Sequence, residues 1–412
     1  MAESVVFVAP QIPFPLDTGG KIRAFYQLRA LSRRYRVHLV ALGPRLGREA
    51  ASDPLWARVH ARLASVRCIR RDGATAVGNF RAGVRSFLGP RPWPVEKYRS
   101  PAAARAISEI CASVRPVAVH FDSLHTFRFV DSVPGGIPVV LDQHNVEALI
   151  LERMAAVSGT GVRRWLIEGQ ARQTDRFERQ ASRRADRVLL CSEEDRALLA
   201  ERTGRSKGYV IIPNGVDLAR FDASKLDPDE LARMRAQPNA VFLGSMDWWP
   251  NDDGIRWFID EIWPQARELS PSLTLRIVGR NPAEDLVAMG GQRGIEVLGG
   301  VPDVRPYMAA ASVFVVPLRV GGGTRLKILE ALGIRAPIVS TSIGCEGIDL
   351  TPGEDLLVAD TPRDFAQAMQ AVVQDSALAD GLRRSGFDRV AQGYSWDAIG
   401  RRVLQVYEEV TS

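Results

Sequence analysis

The chain has 412 residues, 46% apolar and 25% charged, with a net charge of +6. That length suits two domains, and the balance excludes a disordered, collagen-like or disulfide-dense chain. Residues 1–200 hold 31 basic and 19 acidic side chains and residues 201–412 hold 23 and 29, so a basic half precedes an acidic one and an anionic partner is expected on one side.

Ser4–Ala9 is a short apolar run of the buried-strand kind. Asp17-Thr18-Gly19-Gly20-Lys21-Ile22-Arg23 follows it and opens a helix over Lys21–Arg34, with Ile22, Phe25, Leu28 and Leu31 on one face. Val37–Leu42 is the next strand, then Val117–Phe121, Pro138–Asp142 and Arg187–Cys191. Thr203 to Pro238 is irregular and polar, and it sets the domain junction: 1–207 on one side, 208–395 on the other. The later part repeats the scheme with Val241–Gly244, Leu273–Gly279, Ile295–Leu298, Val313–Pro317 and Ile338–Ser340. Trp396–Val410 reads as a closing helix, with Ile399, Val403, Val406 and Tyr407 on one face. Strand–helix alternation of this kind predicts α/β architecture with parallel sheets covered on both faces. Ligands then bind beyond the carboxyl ends of the strands.

Three strand-end segments carry chemistry. Gly19 and Gly20 let backbone N–H groups approach an anion, with Lys21 and Arg23 in the same turn. Gly321-Gly322-Gly323-Thr324-Arg325-Leu326-Lys327-Ile328-Leu329-Glu330 is the stronger signal: three glycines leave a strand and open a helix carrying two cations. Exposed N–H groups with Arg325 and Lys327 suit a diphosphate, and Glu330 suits vicinal sugar hydroxyls. No Walker lysine pattern is present, which disfavours an NTPase. His144 follows the strand Pro138–Asp142 at its carboxyl end, where an imidazole can act as acid, base or donor. Of the other histidines, His38 reads as structural, His60 as solvated, and His120 and His125 flank another strand end. Asp227-Pro228-Asp229 is read as an accident of the linker. Cys68, Cys111, Cys191 and Cys345 form no C-x-x-C pair, and no metal site is expected.

The glycine pair, His144, Cys191-Ser192-Glu193-Glu194-Asp195, Ile212-Pro213-Asn214-Gly215-Val216-Asp217 and the Gly321–Leu332 segment together resemble the retaining glycosyltransferases of the GT-B fold, family four. Within that family the resemblance is to bacterial sugar transferases associated with exopolysaccharide gene clusters. It implies two Rossmann-like domains facing across a cleft, the first taking the acceptor and the second the nucleotide sugar. The last helix, counted as 396–412, would cross back to the first domain. By position, Glu330 would bind the ribose, with Gly279, Arg280 and Val301 flanking the base. Gly323, Thr324, Arg325, Leu326 and Lys327 would hold the donor diphosphate, with Gly19 and Gly20 approaching from the other domain. His144 would contact the donor sugar and assist electrostatically. Lys21, Arg23, His120 and Asp122 fall on the acceptor side, and Gly244, Ser245 and Trp248 on a cleft loop.

Two departures stand out. The family commonly has two glutamates seven residues apart; Glu330 fits the second, but Gly322 stands at the first. The usual basic pair after the first strand of the second domain is also missing, and Arg325 with Lys327 is expected to replace it. The resemblance implies metal-independent, retaining transfer of a hexose-type sugar through an oxocarbenium-like state. The nucleotide-diphosphate sugar, with UDP or GDP as nucleotide, is substrate, and no cofactor is expected. The acceptor is a glycan or a lipid-linked molecule, and the process surface or exopolysaccharide synthesis. An epimerase of the same fold and a non-catalytic nucleotide-sugar-binding subunit stand as alternatives.

Arg62, Arg67, Arg70, Arg71, Arg81 and Arg85 are interleaved with Phe80, Phe87, Leu88 and Trp93. A second basic run, Arg163 to Arg187, contains Trp165. Docking to an anionic leaflet and a plain solvated basic surface both fit this pattern. Nucleic acid is not expected, because no recognition motif accompanies the charge. No apolar run reaches the ~20 residues of a spanning helix, and the N-terminal apolar run is too short for a signal segment. A cytoplasmic location follows, with peripheral attachment at the inner face of the plasma membrane as its extension.

Overall fold

The structure, a computed structural model, describes residues 3–411. Met1, Ala2 and Ser412, the last of these included in the expected closing helix, lie outside the described residues. The chain divides into two compact units: residues 1–213 with 397–412, and residues 214–396.

The first unit holds strands β1 (Ser4–Ala9), β2 (Arg36–Leu42), β3 (Ser65–Ile69), β4 (Ala118–Asp122), β5 (Val139–Gln143), β6 (Arg187–Leu190) and β7 (Tyr209–Ile211). They form one parallel sheet in the order β3-β2-β1-β4-β5-β6-β7. Its helices used below are α1 (Gly19–Leu31), α2 (Ala76–Leu88), α3 (Glu147–Val157) and α4 (Val162–Arg184). The second unit holds β8 (Asn239–Leu243), β9 (Thr274–Val278), β10 (Ile295–Gly299), β11 (Val313–Val316), β12 (Ile338–Ser340) and β13 (Leu357–Val358). These are parallel too, in the order β10-β9-β8-β11-β12-β13. Helices α5 (Trp249–Trp257) and α6 (Leu326–Gly333) belong to this unit, and α7 (Trp396–Thr411) returns to the first.

Both sheets are buried on two faces, as the unbroken apolar runs require. In β11, Val313 and Val315 join one core while Phe314 and Val316 join another. The two-residue strand period produces that division. In β1, Val6 and Val8 enter the core shared with Val119 and Phe121 of β4. Phe7 points the other way, where its ring stacks on His120 at 4.2 Å.

Three strands escape the sequence pattern. β3, β7 and β13 all lie at sheet edges, and their residues are mostly half-buried. An edge strand needs no continuous apolar run, and β3 carries Arg67 at its centre. Because β7 pairs with β6, the first unit runs to Pro213 rather than ending at residue 207. The Asp227-Pro228-Asp229 string has a structural role. Asp227 caps the helix Pro228–Arg235, its carboxylate accepting from the backbone N–H groups of Asp229 and Glu230 at 2.9 and 3.3 Å.

Candidate active site

The first cluster lies at the carboxyl end of the first sheet. β4 ends in Asp122 and β5 in Asp142-Gln143, all buried. Buried carboxylates need cations or donors. Arg23 of α1 donates to Asp142 through Nε and Nη2, at 2.6–3.1 Å, and to the Ile212 carbonyl at 2.8 Å. Gln27, one turn further along α1, donates to the same carboxylate at 2.8 Å. His144 Nε2 stands 2.7 Å from Asp122 and 3.3 Å from Asp142. Burial works against a charged imidazole, but Asp122 and Asp142 outweigh it and raise its pKa to about 10. His144 is therefore an imidazolium at neutral pH. Asp142, despite burial, is held well below the usual carboxylate range by Arg23 and His144.

The other edge of the His144 ring faces the start of α1. A methyl group placed on Gly20 would sit 3.5 Å from Nδ1, an ordinary contact. Gly19 and Gly20 form the first turn of α1, so the imidazolium and the helix N-terminus present positive charge together. The loop bearing His144 is held from behind by Glu178 of α4. Its carboxyl accepts from the Gln143 side-chain amide, and from the Glu147 backbone N–H at 2.8 Å. Burial pushes Glu178 up to about 8. In sequence, Glu178 stands beside Arg179 and looks like any solvated acid of a basic helix.

The residues expected on the acceptor side divide. Lys21 pairs with Asp17 at 2.9 Å near the surface. Arg23 and Asp122 lie inside the network and hold His144 and its strand ends, so they are not acceptor contacts. His120 is fully buried, with Nδ1 2.7 Å from the Tyr407 hydroxyl of α7. Burial lowers its pKa to about 4 and keeps it neutral; it packs sheet against helix. Among the described residues, His120, Asp122 and Asp142 form one group of metal-ligating type. Arg23 and His144 already neutralise its two carboxylates.

The second cluster lies at the carboxyl end of the second sheet. Gly279 follows β9 with φ +155°, and a methyl group there would overlap the Gly244 carbonyl oxygen. Only glycine lets the loops after β8 and β9 meet. Asn251 of α5 donates to the Ser245 carbonyl at 2.9 Å, and its own oxygen accepts from Lys327 Nζ at 2.8 Å. The Ser245 hydroxyl donates to Asp247, and Trp248 is 49% exposed where α5 begins. The Arg280 carbonyl accepts from the Met246 N–H at 2.9 Å, and Val301 packs half-buried on the core.

The glycine-rich loop is organised by Arg325, which is buried. Its guanidinium donates to the carbonyls of Gly322 at 2.7 Å, of Gly323, and of Ile343 at 2.8 Å. Gly323 takes φ +62°, and a methyl group on Gly321 would strike the guanidinium. The paired clamp expected of Arg325 and Lys327 is therefore uneven: Arg325 braces its own loop, and Lys327 stays half-buried. The Thr324 hydroxyl accepts from Asn214 Nδ2 at 2.7 Å. Leu326 opens α6, which carries Lys327 and Glu330. Burial, reinforced by Arg325, lowers Lys327 to about 7; burial raises Glu330 to about 7 against Arg220 and Lys327. Asn214 and Asn251 were assigned no role by sequence reasoning. Asn214 lies in the Ile212–Asp217 segment, whereas nothing local marks Asn251.

Residues 18–220 match the domain described as Glycosyltransferase Family 4, and residues 237–375 the one described as Glycosyl transferases group 1. By family, the chain is a glycosyltransferase of the GT-B fold. This glycosyltransferase is 24% identical to glycogen synthase of Mycobacterium tuberculosis (strain CDC 1551 / Oshkosh) over 255 residues, spanning 59% of each protein. Sucrose-phosphate synthase from Thermosynechococcus elongatus has the same fold, with a TM-score of 0.73 and 18% identity over 99% of both chains. So does Anabaena HepE in complex with UDP-glucose, at 0.69 and 13% over 99% of this chain and 100% of that one.

Proposed function

We propose that this glycosyltransferase moves a hexose-type sugar, with retention and without a metal, from a nucleoside-diphosphate sugar to a glycan or lipid-linked acceptor. The setting would be surface or exopolysaccharide synthesis, with the protein peripheral to the inner face of the plasma membrane. The observation that carries the reading is the helix α6, opened by a braced glycine loop and bearing Lys327 and Glu330 side by side at the sheet's carboxyl end. The α6 N-terminus and Lys327 would take the diphosphate and Glu330 the ribose, with Gly279, Arg280 and Val301 at the base. UDP is the favoured nucleotide, supported by the UDP-glucose complex of the Anabaena relative.

His144 would act as a fixed cation. A protonated imidazole cannot serve as a base, but it stabilises charge developing on the departing donor. Arg23 and Asp122 position it. No enzymic nucleophile is invoked, so attack from the leaving-group face is the route to retention. The test is incubation with UDP- and GDP-sugars, with and without acceptor, followed by chromatography of the products and NMR of the new anomeric centre. An α-linked product from an α-linked donor supports the reading; an inverted product overturns it. Interconversion of donor alone would instead assign an epimerase. Gly322 in place of the first glutamate favours one second reading, a non-catalytic nucleotide-sugar-binding subunit. Tight binding without turnover on any acceptor would select it.

A further inference from the structure

The first unit carries apolar surface that the described residues leave uncovered. On α2, Phe80 is 73% exposed, Phe87 73% and Leu88 79%. Their helical spacing puts them on one stripe with Val84. The opposite side of α2 is fixed: Ala82 and Ser86 are buried, and Gln173 of α4 donates to the carbonyls of Ser86 and Gly89 at 2.8 and 2.9 Å. The stripe is therefore held outward by packing, not by chance of a loose segment. The first turns of α4 extend it, with Val162 75% and Trp165 58% exposed. Leu166, half exposed, lies one helical turn before Gln170, which accepts from the Trp93 N–H at 2.9 Å. That bond ties the start of α4 to the corner after α2.

Charge identifies the occupant. Residues 73–95 contain Arg81, Arg85 and Arg91, and residues 153–167 contain Arg153, Arg163 and Arg164. Arg85, Arg91 and Arg164 pair with Glu96, Asp131 and Glu168 at 3.2, 3.9 and 2.8 Å, while the exposed Arg81 and Arg163 flank the apolar stripe. A second copy of this face would bring Arg81 and Arg163 against like charges. A surface of phosphates above acyl chains satisfies both the cations and the aromatic rings. We infer that the exposed face of α2, with the first turns of α4, docks on an anionic lipid bilayer, α2 lying in the headgroup plane. The inference rests on the proposed action at a membrane and names the element that performs it.

The whole protein is sedimented with phosphatidylcholine vesicles, plain or mixed with phosphatidylglycerol, beside the variants Phe80→Asp/Phe87→Asp and Arg81→Glu/Arg163→Glu. Transfer to a water-soluble acceptor and the melting temperature are measured for all three proteins. Wild type is expected to bind mixed vesicles about tenfold or more better than plain ones, and each variant to lose about tenfold. Melting and soluble-acceptor transfer should stay at wild-type values. Absence of wild-type binding, or equal binding by the variants, overturns the docking face. So does a wild-type dimer that the Phe80→Asp/Phe87→Asp change separates into monomers. Selective vesicle binding without sugar transfer from any donor would support the face and remove the enzymatic reading.

Discussion

His144 is charged because two buried carboxylates outweigh the cost of burying it, and this decides what it can do. Its pKa of about 10 lies above the ordinary histidine range, so kcat should show no histidine titration near neutral pH. His144→Ala is expected to lower kcat about 10²–10³-fold with a smaller change in donor KM, as for loss of a charge-stabilising group; steady-state kinetics checks it. Asp142→Asn strands Arg23 in the interior and should cost about 3–5 kcal/mol, read by denaturant unfolding. Glu178 makes the opposite pH prediction. Its folded pKa of about 8 lies above the ordinary glutamate value of 4.5, so the folded state holds the proton more tightly. Its contribution is fully present below that ordinary value and is lost as pH rises through about 8. The melting temperature should fall through that window, and Glu178→Gln should flatten the fall.

Helix α6 is where single residues combine into a binding element. Lys327 and Glu330 lie one turn apart and both titrate near 7. A diphosphate needs Lys327 charged, and a ribose needs Glu330 ionised. Donor affinity should therefore peak near neutrality, weakening below as Glu330 takes a proton and above as Lys327 loses one. Calorimetric titration with UDP-sugar across the neutral range checks this, and Glu330→Gln should remove the acidic limb. The residues of α6 were legible in sequence because a glycine run, two cations and an acid fall within ten positions. The direction of Arg325 was not, since only the folded loop shows three carbonyls converging on it. The edge strands β3, β7 and β13 were missed for a related reason: half-buried elements carry little periodic signal.

The chain leaves the first unit at Pro213 and returns to it at Asp397. Helix α7 buries Ile399, Val403, Val406 and Tyr407 there, each aliphatic side chain contributing about 1.5–3 kcal/mol. Ending the chain after Trp396 should therefore abolish the first unit's cooperative melting, seen by calorimetry. The narrower change Tyr407→Phe leaves His120 Nδ1 unpaired and should cost about 1–3 kcal/mol. No described helix is long and apolar enough to cross a membrane.

The sequence alone determined the α/β class, the central strands and the two glycine-rich strand ends. Those features rest on local periodicity and backbone freedom, which a short stretch of chain carries within itself. Tertiary structure alone decided that Arg23 and Asp122 support His144, that His120 serves the core, and that Arg325 turns into its own loop. Such roles depend on partners as far as 287 positions away, as with His120 and Tyr407, and on charges whose values burial resets.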